Sequence, residues 1–149
     1  MKNFKNKVAA ITGAGSGIGQ QLAVLLAKQG CHLSLSDINE KGLAQTVELV
    51  KQYPVTVTTK VLDVSNRDAV KQWAQETVHD HGGVNMIFNN AGVALGSTVE
   101  GASYEDLEWI VGINFWGVVY GTKEFLPFIK QTQDGHIINI SSLFGLTAQ

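Results

Sequence analysis

The chain has 149 residues, 44% of them hydrophobic and 16% charged, and a net charge of −2 at pH 7. It is too apolar for a disordered segment and too evenly charged for a nucleic-acid footprint, and its single cysteine, Cys31, excludes an intramolecular disulfide or a multi-cysteine zinc site. The charged N-terminus meets only a short apolar stretch before glycines intervene, so neither signal peptide nor membrane anchor is expected and the chain reads as cytoplasmic.

Apolar strands alternate with amphipathic helices along the whole chain. Residues 7–12 read as a buried strand ending in glycines. Residues 17–29 carry Ile18, Leu22, Leu25 and Leu26 at helical spacing, and Gly30 stops that helix. A second strand spans 32–36 and a second helix 39–52, with Asn39 as its N-cap. Pro54 turns the chain into a third strand, 55–62. Ser65 with Asp68 reads as a capping box for a helix over 66–80 that aligns Val70, Trp73, Ala74 and Val78. A fourth strand covers 84–88. After a loop of small residues, Ser103 with Asp106 opens one long helical region reaching about residue 130, with Pro127 at a kink or near its end. Residues 136–140 form a fifth strand.

This alternation, without a second composition zone, predicts one α/β domain built on a parallel sheet. Near-continuous apolar strands fit a sheet covered by helices on both faces. The apolar stretch 109–129 is interrupted by Asn114, Lys123 and Glu124, so it reads as a core or subunit-interface helix, not a membrane span. The pair His79/His81 reads as a helix C-terminus, not a metal site. The sequon Asn139-Ile140-Ser141 falls on a strand predicted to be buried and reads as accidental.

Glycine is overused, with 16 against two prolines; average usage is roughly 7% glycine. Part of the excess sits in Thr12–Gly19, TGAGSGIG, between the first strand and the first helix. There the backbone can come close to a pyrophosphate, and the free N–H groups and dipole of the helix N-terminus can hold its charge. The spacing fails G-x-G-x-x-G in every register and fails the Walker A pattern. It fits T-G-x-x-x-G-x-G through Thr12, Gly13, Gly17 and Gly19. Asp37 ends the second strand roughly 20 residues further on. Asp63-Val64 ends the third, and Asn89-Asn90-Ala91-Gly92 the fourth. Asn114 lies in the long helix, and Ser141-Ser142 follows the fifth strand.

In this order the motifs resemble the short-chain dehydrogenase/reductase family over the whole chain. The resemblance implies a Rossmann-type doubly wound parallel sheet of about five strands, incomplete at its C-terminal side. It implies one NAD(P)-binding domain over 1–149. Gly13, Ser16, Gly17, Ile18 and Gly19 would line the pyrophosphate. Asp37 would accept hydrogen bonds from the adenosine ribose and repel a 2′-phosphate, favouring NAD over NADP. Asp63 and Val64 would flank the adenine, and Asn90, Ala91 and Gly92 the nicotinamide ribose. Asn114 would help hold a proton-relay water. Ser142 would hydrogen-bond the oxygen of an alcohol or carbonyl substrate, with Ser141 as the alternative. Family members usually assemble as dimers or tetramers, so a homo-oligomer is expected when full length.

The family's Tyr-x-x-x-Lys is absent. Tyr53 meets Val57, Tyr104 meets Glu108, and Tyr120 meets Glu124. That pair supplies the acid/base, an effect worth about 10²–10⁴ in rate. The expectation is therefore the N-terminal, cofactor-binding portion of a longer oxidoreductase, nearly inactive alone. The competing expectation is a non-catalytic nucleotide-binding or oligomerisation module.

Overall fold

The computed structural model describes residues 3–143. Five strands, β1 (Val8–Thr12), β2 (His32–Asp37), β3 (Val57–Val61), β4 (Met86–Asn89) and β5 (His136–Asn139), alternate with helices. They form one fully parallel sheet in the order β3-β2-β1-β4-β5. The chain builds outward from β1 on one side, then returns to place β4 on the other. The strand order thus reverses beside β1, where an open α/β sheet leaves a crevice at its carboxyl edge.

Helices cover both faces. On one, α1 (Gly17–Lys28) and α2 (Glu40–Val50) pack over β1, β2 and β3. On the other, α3 (Arg67–His81) and α5 (Gly117–Ile129) pack together over β3, β4 and β5. Alternating residues of each strand feed the two cores. Ala9, Ile11, Leu33, Leu35, Met86 and Phe88 join α1 and α2, while Val8, Ala10 and Ile87 join Trp73 and Phe125 of the opposite layer. Trp73 meets Phe125 edge-on, with centroids 4.8 Å apart. Its indole N–H donates to Ser34 Oγ at 2.9 Å, and Ser34 pairs with Thr77 at 2.7 Å. A polar network fully satisfied in this way seats α3 in a single position.

Asn39 caps α2 by accepting from Gly42 N at 3.1 Å. Ser103 and Asp106 form the expected reciprocal box at the start of α4 (Tyr104–Val111). The cap of α3 differs from expectation. Asn66 accepts from Ala69 N at 3.1 Å, while Ser65 Oγ turns back to donate to Asp63 Oδ1 at 2.8 Å. The carboxylate of Asp63 wins the serine, so the cap moves one residue on. The long helical region is also not uniform: a π-turn, Gly112–Trp116, separates α4 from α5. Pro127 stands inside α5, in its last turn.

Asn89 anchors the edge strand β5. Its side chain is buried and donates to Thr122 Oγ1 at 3.1 Å and to Asn139 Oδ1 at 2.8 Å. Its Oδ1 faces Gly121, where a Cβ would lie only 2.0 Å away. Glycine is thus required there by close approach. Gly121→Ala should destabilise the protein by about 1–3 kcal/mol through overpacking, read as a lower midpoint in thermal denaturation.

Cys31 is fully buried in the α1 core, and burial pushes its thiol up to about 12. Alkylation by iodoacetamide at pH 8 should be negligible in the native protein and complete in denaturant, because the thiolate is the nucleophile. The raised value also has a stability sign. Between the ordinary thiol range and 12 the unfolded chain releases a proton that the folded chain keeps, so stability falls as pH rises through that window.

Candidate functional site

The strand exits at the order reversal are tied together by one hydroxyl. Thr12 Oγ1, at the end of β1, donates to Phe88 O at 3.3 Å and accepts from both Asn90 N and Ala91 N at 2.9 Å. Asn90 answers by donating its Nδ2 to Thr12 O at 2.9 Å and Gly13 O at 3.3 Å. The glycine turn and the loop after β4 therefore form one rigid floor.

Each glycine of the turn has its own task. Gly13 takes a positive φ of 64°, and a Cβ on it would stand 2.9 Å from Ala91 Cα. Gly17 also has a positive φ, 51°, and faces open space at the start of α1. Gly19 is buried, and a Cβ there would strike Gly13 O at 2.1 Å. It does not line the cleft; it lets α1 close onto the turn. Ser16 is the N-cap, yet its side chain makes no capping bond. The first N–H groups of α1 are thus left to an outside acceptor.

The second helix holds the turn from behind. Thr46 donates to Ala14 O at 2.8 Å and accepts from Gln20 Nε2 at 3.0 Å. Gly42 allows the approach, since a Cβ there would meet Gly15 O at 2.6 Å. At the end of β2 the Asp37 carboxylate is fixed at both oxygens. Oδ2 accepts from Gly15 N at 2.8 Å and Oδ1 from Asn39 N at 2.9 Å. Each oxygen keeps a lone pair for a further donor.

These parts bound a cavity of about 510 Å³ lined by Gly13, Ser16, Gly17, Ile18, Asp37, Asp63, Val64, Asn90, Ala91 and Gly92. The volume is ordinary for a cofactor or ligand cleft. Its remaining lining is Ile38, Leu62, Val93, Trp109 and Ile113, none of them a motif residue. Ile38, Leu62 and Val93 merely adjoin motif residues in sequence. Trp109 and Ile113 could have been found from their four-residue spacing on the helix that runs into Asn114. The lining contains two carboxylates and no cationic side chain. An anion held here must therefore rely on backbone N–H groups and the dipole of α1. No metal-binding cluster of three or more His, Cys, Asp or Glu side chains occurs among the described residues.

Asn114 and Ser142 stand apart from this lining. Asn114 sits in the π-turn, where helices often carry functional side chains. Its carboxamide is committed to one backbone partner: Oδ1 accepts from Val93 N at 2.9 Å and Nδ2 donates to Val93 O at 2.8 Å. It thereby fixes the loop after β4. Ser142 is exposed beyond β5.

The Thr12 clamp yields a direct expectation. Thr12→Val keeps the shape and leaves the half-buried N–H groups of Asn90 and Ala91 without their partner, which should cost about 1–3 kcal/mol in all. Urea denaturation should show that loss, and Thr12→Ser should recover most of it.

Comparison with known proteins matches this architecture throughout. The chain is 48% identical over 148 residues to SadH of Mycobacterium tuberculosis, provisionally named an oxidoreductase, spanning 99% of this chain and 54% of that protein. It is 31% identical over 143 residues to the 3-oxoacyl-[acyl-carrier-protein] reductase FabG of Thermotoga maritima, over 96% of this chain and 58% of the reductase. A short-chain dehydrogenase/reductase from Burkholderia phymatum, solved in complex with NAD, superposes with a TM-score of 0.96 at 38% identity, covering 100% of this chain and 53% of its own. Carveol dehydrogenase from Mycobacterium avium, also solved with NAD, gives 0.93 at 28% identity, covering 100% of this chain and 59% of its own. The chain thus spans about half the length of the relatives it matches. The sequence pattern of the short chain dehydrogenase family matches residues 7–149, and the chain belongs to that family.

Proposed function

We propose that residues 1–149 form the NAD-binding portion of an oxidoreductase that moves a hydride between NAD(H) and a small alcohol or carbonyl substrate. The observation that carries this reading is the single cleft joining the glycine turn, Asp37, Asp63-Val64 and Asn90–Gly92. The fit is chemical as well as spatial. Uncapped N–H groups at α1 and the open face of Gly17 suit a pyrophosphate. The anchored Asp37 carboxylate suits two vicinal ribose hydroxyls and opposes a 2′-phosphate. When bound, the nicotinamide ring supplies the hydride.

Protein groups do the rest. Asn90, Ala91 and Gly92 form a floor of small residues for the nicotinamide ribose. Ser142 orients the substrate oxygen by hydrogen bonding. Asn114 holds the Val93 backbone and with it the wall between cofactor and substrate. Neither Ser142 nor Asn114 is a proton donor suited to neutral pH, and the 149 residues contain no Tyr-x-x-x-Lys. On this reading the chain alone binds dinucleotide and turns over very slowly. A second reading is a nucleotide-binding or oligomerisation module without catalysis. Exposed Val111, Phe115 and Trp116 on the long helix support a subunit contact in either case. A homo-oligomer in the cytoplasm is the assembly proposed; no described helix is long and apolar enough to cross a membrane.

Titration with NADH and NADPH tests the cofactor assignment. NADH should bind more tightly, and Asp37→Ala should narrow the gap chiefly by improving NADPH; an unchanged ratio would remove Asp37 from that role. Catalysis is tested by joining residues 1–149 to a segment that supplies Tyr-x-x-x-Lys. NAD-linked turnover of alcohols or ketones about 10²–10⁴ above the 149-residue chain is expected. Binding without any gain favours the non-catalytic module.

A further inference from the structure

Trp109 is 47% exposed, although large aromatic side chains are ordinarily well covered. It lines the cleft. It stands one helical turn before Ile113, which lines the same cleft. Its place along the cleft follows from the packing of that helix. A Cβ on Gly112 would lie 3.4 Å from Ser65 Cβ, and one on Gly117 2.8 Å from Val64 Cγ2. The π-turn that follows α4 and the start of α5 therefore abut Val64 and Ser65. Apart from Asp63, the cleft wall at this end is apolar, with Leu62, Val64, Ile113 and an Ile38 that is 70% exposed.

The other two tryptophans are already engaged. Trp73 is buried against Phe125 and Ser34, and Trp116 stacks on Tyr120 with centroids 5.7 Å apart. Trp109 is the tryptophan that presents surface to the cleft. An apolar slot with an exposed indole and an exposed isoleucine calls for a flat, weakly hydrated ring.

We propose that Trp109 is an affinity-determining residue that stacks on the purine of the dinucleotide, with Ile38 and Ile113 completing the slot. This rests on the dinucleotide reading of the cleft. The contact adds no chemistry; it holds the adenosine half and so raises affinity for any ligand bearing that half.

The test uses ADP-ribose, which carries the purine and pyrophosphate without nicotinamide, in calorimetric titrations of the protein and two variants. Base–aromatic stacking predicts about a tenfold weaker ADP-ribose affinity for Trp109→Ala. Trp109→Phe keeps a ring and should restore most of the affinity. With NADH as probe, indole excitation should sensitise nicotinamide emission in the unaltered protein, and Trp109→Phe should lose the largest share of that signal while still binding. Equal ADP-ribose affinity in Trp109→Ala and the unaltered protein overturns the proposal. A change in solution mass with unchanged affinity also overturns it and assigns Trp109 to a contact between copies. Failure of the unaltered protein to bind ADP-ribose overturns the dinucleotide reading itself, and this inference with it.

Discussion

One threonine hydroxyl, at the end of β1, holds the site together. Parallel strands cannot be joined by a tight turn, so β1 and β4 leave the sheet independently and their exits must be fastened by something else. Thr12 supplies the fastening by serving three backbone groups at once, and Asn90 closes the loop from the other side. The glycine turn and the loop after β4 are both referenced to this junction. The glycine turn leaves directly from it, and Gly19 can bring α1 down because Gly13 O is already fixed. The buried setting of Thr12 matters, since hydrogen bonds shielded from water are costly to lose.

The sheet, its parallel sense and the positions of α1, α2 and α3 were legible in the sequence because periodicity and punctuation agreed. Apolar runs gave strands, Gly30 ended a helix, and Asn39 and Ser103 opened two others. The motif residues at the strand ends were legible for the same reason, because every strand here ends on the same edge; Asn114, inside the helical region, was legible only through the family resemblance. Legibility ended where a choice depends on distant partners. Ser65 has the look of a cap, yet it is captured by Asp63, and only the folded loop brings that carboxylate to it. The break of the long helix at Gly112–Trp116 was invisible to periodicity. Nothing local marks a π-turn; Gly112, Gly117 and Gly121 reveal it only after their neighbours Ser65, Val64 and Asn89 are in place.

The same contrast separates the two halves of the candidate site. Residues that touch the cleft through backbone geometry were found, because glycine and small-residue motifs record backbone demands. Trp109, Ile113 and Ile38 act through side-chain surface, and a hydrophobic residue on an amphipathic helix carries no mark of whether it faces core or ligand. Gly19 shows the opposite case. It belongs to the motif but works at one remove, by the absence of a side chain against Gly13 O.

The π-turn carries one residue more than the α-helical ladder on either side of it can accommodate. Each residue of an α-helix advances the chain by about 100° around the axis. Removing one residue at this point would leave α5 seated on Asn89 and Val64 while rotating the whole of α4 by that step. Trp109 and Ile113 would then swing off the cleft together, although neither had been altered. The bulge thus works as a phase-setter: it lets one continuous helical rod satisfy the core at one end and aim an unrelated face at the cleft from the other.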